Sequence, residues 1–406
     1  MTSDLSVVYD PMSPAVQADP YSVYAQLRRS APVLYVESLD AYAVSRYADV
    51  ARVMHDHETF SSQAMAALVA RPVELTADLG PDSGQDVFGM SIIGTDGDAH
   101  ARLRLIVNRG FTPRRVAAQE REIRRIASSF VDDFVERGGG DLQSSVAVPF
   151  PTAVIASLLG VDPDQRDDFR RWSEHMVIAV FEPNTTAHQD DIARSSEEMG
   201  RWLDEVIEVR SRTLGDDLIS VLLRAELEGG ALTPEELRTF VFTLLVAGSI
   251  TTAYLIGRTV DVLVHEPGLL ELARRDNELL ARAVEETLRF DAPVQMMFRT
   301  TTVPVQIAGT DVPAGATVLP LIGSANRDED AFPEPDRFDL ARNSRDHLTF
   351  GHGSHFCLGA ALARLEARIL IEQLLTRAAI LEPAGEPDHV SSLVFRGPTR
   401  LPLTVA

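Results

Sequence analysis

The sequence predicts a mainly α-helical domain with a minor β region, on three observations. Long stretches carry apolar residues at three- and four-residue spacing, the signature of amphipathic helices. One run, "TFVFTLLVAGSITTAYLIG" (239–257), holds no charge over 19 residues, long enough for a helix through the centre of the molecule. Strand-like alternation is confined to two short places late in the chain.

Taken in order, the start "MTSDLSVVYDPMSPAVQADP" is acidic and Pro-bearing, without the basic-then-apolar pattern of a signal peptide. Residues 71–94 form a long Pro/Gly-rich irregular stretch, which in a compact domain is more often functional than idle. "REIRRIASSFVDDFVER" (121–137) predicts a helix stopped by Gly138–Gly140, and "EMGRWLDEVIEVRSRTL" (198–214) predicts another. Thr233 as N-cap and Pro234 in the first turn open the uncharged helix. About 20 apolar residues can span a bilayer, but this run contains four Thr, one Ser and two Gly and is bordered by charge. We expect a core helix, not a membrane span. "NELLARAVEETLRF" (277–290) and "LGAALARLEARILIEQLLTR" (358–377) predict further helices. Strands are expected within 303–322, punctuated by Gly309 and Gly315, and within 394–405. No repeat or linker interrupts the chain, so a single domain over 1–406 is expected.

Composition narrows the function. The balance of 38 basic against 60 acidic side chains gives −22 at neutral pH, which argues against nucleic-acid binding. All 38 basic residues are Arg, as a GC-rich coding sequence would produce. One cysteine among 406 residues excludes an internal disulfide framework and suits a reducing cytoplasm.

That cysteine, Cys357, sits in "FGHGSHFCLG" (350–359), among three glycines and two histidines. It precedes a helix, whose unpaired N–H groups favour thiolate, the metal-binding form. Three readings compete on the residues alone. Cys357 is a small buried hydrophobe, or it joins His347, His352 and His355 around zinc, or it ligates haem iron as thiolate. The zinc reading has no standard ligand spacing and leaves the glycines unexplained.

Phe350-Gly351-x-Gly353-x-His355-x-Cys357-x-Gly359 resembles the F-G-x-G-x-H/R-x-C-x-G signature of the cytochrome P450 family at every defined position. The resemblance covers nearly the whole chain, from "DPYSVYAQLR" (19–28) to "LPLTV" (401–405). It implies the family's triangular helical prism, with haem b buried between the long central helix and the cysteine loop. Cys357 would be the proximal ligand, Phe350, Gly351 and Gly359 would shape its loop, and His355 would reach a haem propionate. Glu286 and Arg289 in "EETLR" match the family's E-x-x-R, and Arg337 in "FPEPDRF" is expected to complete a buried Glu–Arg–Arg network. His100 and Arg104, four apart on a helix, and Arg299 are expected on the propionates, whose carboxylates suit such donors.

On the oxygen side, the resemblance assigns catalysis to Gly248, Thr251 and Thr252. Gly248 would let the helix open, and a Thr hydroxyl would hydrogen-bond the oxygen being activated. Ile250 stands where the family usually places an acid that helps deliver protons. Either Ser249 or ordered water takes over, or the oxygen chemistry differs. The implied reaction is insertion of one atom of O2, the co-substrate, into a hydrophobic molecule by hydroxylation or epoxidation, in secondary metabolism.

No G-x-G-x-x-G nucleotide loop is present and no length remains for a flavin domain, so electrons are expected from ferredoxin and its reductase. Eight arginines between 102 and 125 offer a landing site in an acidic chain, with Arg102, Arg114 and Arg115 as the docking residues. The expected pocket residues, placed by resemblance, are Leu244, Val294, Met296, Met297 and Phe395, with Phe181 and parts of 71–94 nearby. They suit a neutral terpenoid, steroid or polyketide-type substrate. Two other readings remain open: a haem-thiolate enzyme of non-standard chemistry (a peroxygenase, a nitrogen-oxide user or a multi-step oxidant), and a non-catalytic haem-based sensor. A monomer is expected.

Overall fold

The structure is a computed structural model, and it describes residues 9–63, 65, 91–181, 188–224 and 232–406. The irregular segment from 71 falls outside these apart from residues 91–94, as does the side chain of Phe181.

Helices dominate, and the longest, Pro234–His265, is the central one. Thr233 caps it as the sequence predicts. The Thr233 Oγ1 accepts from the Glu236 N–H at 3.1 Å, and the Glu236 carboxylate accepts from the Thr233 N–H at 2.9 Å. This closes a capping box worth about 1 kcal/mol. Most of its residues are buried, because helices Pro149–Leu159, Arg166–Phe181, Asn277–Phe290 and Ala360–Arg377 pack around it. It is a core helix: its apolar surface is spent on protein neighbours rather than left for lipid.

The helix predicted at 121–137 spans Glu120–Glu136, and Gly138 follows at φ +74°, the left-handed conformation that ends helices. The helix predicted from 198 starts nine residues earlier, as Gln189–Arg212. Tertiary packing sustains its polar N-terminal turns against helix Arg166–Phe181. Helix Asn277–Phe290 agrees with its expected bounds.

The β portion is small. Strands β1 (Val33–Val36) and β2 (Ala41–Val44) form a hairpin too short to show period-two alternation in the sequence. β3 (Phe60–Ser61), β5 (Arg299–Thr301) and β8 (Thr317–Pro320) complete a five-stranded sheet in the order β1-β2-β8-β5-β3. β4 (Gly139–Asp141), β12 (Pro402–Val405) and β9 (Leu381–Pro383) form a second sheet. Two hairpin-like pairs remain: β6 (Val305–Ile307) with β7 (Thr310–Val312), and β10 (Asp388–His389) with β11 (Pro398–Arg400). Gly309 turns the β6–β7 hairpin at φ +86°.

Candidate haem-thiolate site

Cys357 lies in the loop that runs into helix Ala360–Arg377, at an accessible position. Its N–H donates to the Phe350 carbonyl at 2.7 Å, folding the loop into a tight bend. Gly351 and Gly353 supply φ of +79° and +74° for that bend. Although the residue keeps an open side, the protein packed around the sulfur pushes the thiol pKa up by desolvation, against the pull of the Gly359 and Ala360 N–H groups, Arg104 and Arg364. The helix start thus favours the thiolate as expected, and desolvation opposes it.

Around the recess, donors outnumber their partners. Arg299 is 3% exposed, its guanidinium donates to the Phe298 carbonyl at 2.9 Å, and no ion pair holds it among the described residues. Burial lowers its pKa to about 10, so it stays cationic at neutral pH. His100 is buried with its Nε2 unpartnered among the described residues, and burial, His355 and Arg104 lower its pKa to about 4. Arg104, half-buried, has no ion pair among the described residues and feels Cys357 electrostatically. His355 stacks on His100 with ring centroids 4.0 Å apart. Its Nε2 meets Ser62 Oγ at 3.1 Å and Asp96 Oδ1 at 3.3 Å. Burial alone would raise the Asp96 carboxyl, but hydrogen bonds from His355, Ser61 and Ser62 hold it well below the usual range. Unpaired cations and an orphaned imidazole beside a lone sulfur are the donor set a metal macrocycle bearing carboxylates requires. The residues fit haem.

On the central helix, Ala247 is exposed although the helix is otherwise largely buried. Thr251, one turn on, is half-buried, and its Oγ1 donates to the Ala247 carbonyl at 2.7 Å. Gly248 is half-buried, and a Cβ there would lie 3.2 Å from Ile155 Cδ1. Thr252 is corrected: it is buried, turned about 100° from Thr251 around the helix. Ser249 is buried too, its hydroxyl donating to the Leu245 carbonyl at 2.5 Å.

Behind the loop, Arg289 holds Glu286 in a buried bidentate pair. Arg337 does not complete the network. Its side chain is 63% exposed and reaches only Glu334, while its carbonyl accepts from Arg289 at 3.2 Å. The third arginine is Arg342, whose Nε meets Glu286 Oε1 at 3.2 Å. Phe338 turns inward onto Phe290, which sends neighbouring Arg337 outward. The Asp339 N–H and the Ser344 hydroxyl also donate to Glu286.

Of the pocket residues, Leu244, Val294, Met297 and Phe395 are half-buried, and Val294 pairs with Phe395 by a backbone bridge. Met296 is corrected. It is 1% exposed, bridges to Leu321 and packs in the cluster of Tyr9, Tyr24 and Leu319, whereas Val294 and Met297 pack against a different core cluster. Arg102 is corrected as a docking residue, because it is paired with Glu236. Arg114 and Arg115 are exposed and without ion pairs among the described residues, as is Arg109.

The family model for cytochrome P450 matches residues 167–395. The 6-deoxyerythronolide B hydroxylase of Saccharopolyspora erythraea is 36% identical, over 98% of this chain and 99% of that one. The chain belongs to the cytochrome P450 family. Its fold agrees: the P450 CYP109Q5 from Chondromyces apiculatus superposes with a TM-score of 0.88 at 41% identity, covering 98% of both chains. CYP109E1 from Bacillus megaterium, in complex with testosterone, gives 0.84 at 33% identity over 95% of this chain and 99% of its own. This is a bacterial-type P450 monooxygenase, an oxidoreductase whose family uses a haem-thiolate cofactor and O2.

Proposed function

We propose that this P450 hydroxylates or epoxidises a neutral, hydrophobic small molecule of secondary metabolism, with electrons supplied by a ferredoxin and its reductase. The observation that carries the reading is Arg299, a buried cation without an ion pair among the described residues, together with the orphaned His100 Nε2. Cys357 would ligate the iron of haem b, and Phe350, Gly351 and Gly359 would form its seat. Arg299, Arg104, His100 and His355 would hold the propionates. When bound, the haem supplies the activation of O2 by thiolate donation.

The chain's own residues do the rest. Glu286, Arg289 and Arg342 fix the segments that flank the cysteine loop. Gly248 keeps the central helix slim above the site, and the Thr251 hydroxyl holds a proton that it now shares with the Ala247 carbonyl. Leu244, Val294, Met297 and Phe395 exclude water and orient substrate by apolar contact. Arg109, Arg114 and Arg115, with exposed Leu105 and Phe356, form the face for an acidic ferredoxin. The reading places a monomeric, single-domain enzyme in the cytoplasm, where its one thiol stays reduced.

One observation favours a second reading. Ile250 replaces the usual acid, and the Ser249 hydroxyl is committed to the Leu245 carbonyl, so neither side chain substitutes for that acid. Peroxide-driven turnover is the alternative this supports. The test is the purified Cys357→Ala variant beside the wild type. A red-shifted CO difference band in the reduced wild type, lost in the variant, supports the thiolate reading; a band retained by the variant sinks it. Ferric spectral shifts with a panel of steroids, terpenes and macrolactones then identify the ligand class.

A further inference from the structure

Half of the ten histidines gather near the edge of the cysteine loop: His55, His57, His100, His352 and His355. They do not all serve the same end. His100 and His355 are stacked at 4.0 Å, and the His355 Nε2 is engaged by Ser62 and Asp96. His55 and His352 differ in each respect. Both are exposed, their imidazoles have no hydrogen bond or ion pair among the described residues, and their ring centroids stand 5.2 Å apart with planes tilted by 43°.

That separation and tilt allow an ordinary ring contact, and they also suit a shared ion. Two imidazoles on one tetrahedral zinc, each bound at ~2.0–2.1 Å, hold their ring centres about 5 Å apart. We propose that His55 and His352 form a surface site for a divalent transition metal of the zinc class, with water completing the coordination. His55 ends helix Tyr47–His55, and His352 lies between the two glycines of the cysteine loop. The loop lies close enough to His55 that a Cβ on Gly353 would sit 3.0 Å from His55 Cα and Nδ1. The His55 Nδ1 therefore faces the loop backbone, and Nε2 is the nitrogen free to bind. A metal here ties that helix to the loop that carries Cys357, and so restrains the loop from outside. Imidazole ligands with water select Zn²⁺, Cu²⁺ or Ni²⁺ over Mg²⁺ or Ca²⁺, which prefer oxygen.

The site requires no assumption about the haem, so its test is separate from that of the proposed function. Zn²⁺ is titrated calorimetrically into the purified holoprotein, in parallel with H55A, H352A and, as a control for scattered surface imidazoles, H265A. Second-sphere partners alone change metal affinity by ~10–100-fold, so loss of either ligand should weaken binding at least about tenfold. The expected result is saturable one-to-one binding in the wild type and H265A, weakened by that factor in H55A and H352A. Hydrogen exchange of residues 350–357 should slow on adding Zn²⁺ to the wild type and not to H352A. Absence of saturable binding, equal affinity in all four proteins, or unchanged exchange in the wild type overturns the proposal.

Discussion

Arg289 grips Glu286 through two parallel hydrogen bonds, Nε to Oε2 at 2.8 Å and Nη2 to Oε1 at 2.7 Å, with both side chains shut off from solvent. The remaining guanidinium donors satisfy the Asn326, Pro335 and Arg337 carbonyls, so one side chain pins two further segments, at 326 and at 335–337. Removing one partner of such a pair leaves a buried charge uncompensated, at a cost of ~3–5 kcal/mol. Arg289→Ala should therefore express poorly and without haem. Arg342→Ala removes one charged hydrogen bond to Glu286, about 1.5–3 kcal/mol, and should fold with a lowered Tm and reduced haem content. Arg337→Ala, on the surface, should stay within about 0.5 kcal/mol of the wild type. Thermal unfolding and the ratio of Soret to protein absorbance check the ranking; an Arg337 variant as damaged as Arg342→Ala would contradict it.

Glu366 gives a pH prediction. It is buried in helix Ala360–Arg377, its Oε2 has no partner among the described residues, and burial pushes its pKa well above the ordinary 4.5. The folded protein keeps a proton that the unfolded chain releases, so the folded state binds more protons throughout the interval between the two pKa values. The stability contributed by neutral Glu366 is complete below the unfolded pKa and falls as pH rises towards the folded one. Glu366→Gln should abolish that slope. Its gain in Tm over the wild type should grow from acidic to mildly alkaline pH. A difference constant with pH would show that Glu366 does not titrate in this way.

What was legible in the sequence was what short stretches of chain settle by themselves. The Cys357 bend needs glycines at fixed offsets, Glu286 and Arg289 share a helix face, and Thr233 with Glu236 caps its own helix. The misassigned residues depend on which face folds inward, and distant chain decides that. Glu236, 134 residues along the chain, neutralises Arg102, and the cluster of Tyr9 and Tyr24 takes up Met296. Phe338 claims the interior and leaves the network to Arg342. The apolar periodicity of the central helix did not separate Thr251 from Thr252, because threonine suits either face. The exposure of Ala247 inside an otherwise buried helix was the missing signal, and only tertiary structure reveals it.

Ile250 tests proton supply. With the Ser249 hydroxyl engaged by the Leu245 carbonyl, no side chain at either position offers a proton beside Thr251. Introducing a carboxylate by Ile250→Asp should raise the fraction of NADH electrons that reach product, with less peroxide released. General acid catalysis commonly contributes ~10²–10⁴-fold where a positioned acid is absent and then supplied, so even partial positioning would be visible. Product and peroxide are quantified together per NADH consumed. Coupling that does not change would mean Ile250 serves packing alone.

Electron delivery tests the arginine face. Arg114 and Arg115 begin helix Pro113–Ala118 and are exposed, whereas Arg102, Arg124 and Arg125 in the same stretch are committed to Glu236, to Glu120 and Glu372, and to Glu122. Arg114 and Arg115, uncommitted like Arg109, are therefore where the proposed acidic partner would find positive charge on a chain of net charge −22. Rim charges act mainly on association rate, through a field screened over roughly 10 Å at 0.1 M salt. The Arg114→Glu/Arg115→Glu double variant should slow haem reduction by ferredoxin most at low ionic strength, and the gap from the wild type should narrow as salt is added. Reduction by dithionite, a small reagent that needs no docking face, should be unaffected. Stopped-flow reduction across a salt series separates the outcomes: a slowdown that ignores salt would point to damage within the fold, and equal rates at every salt concentration would move the docking face elsewhere.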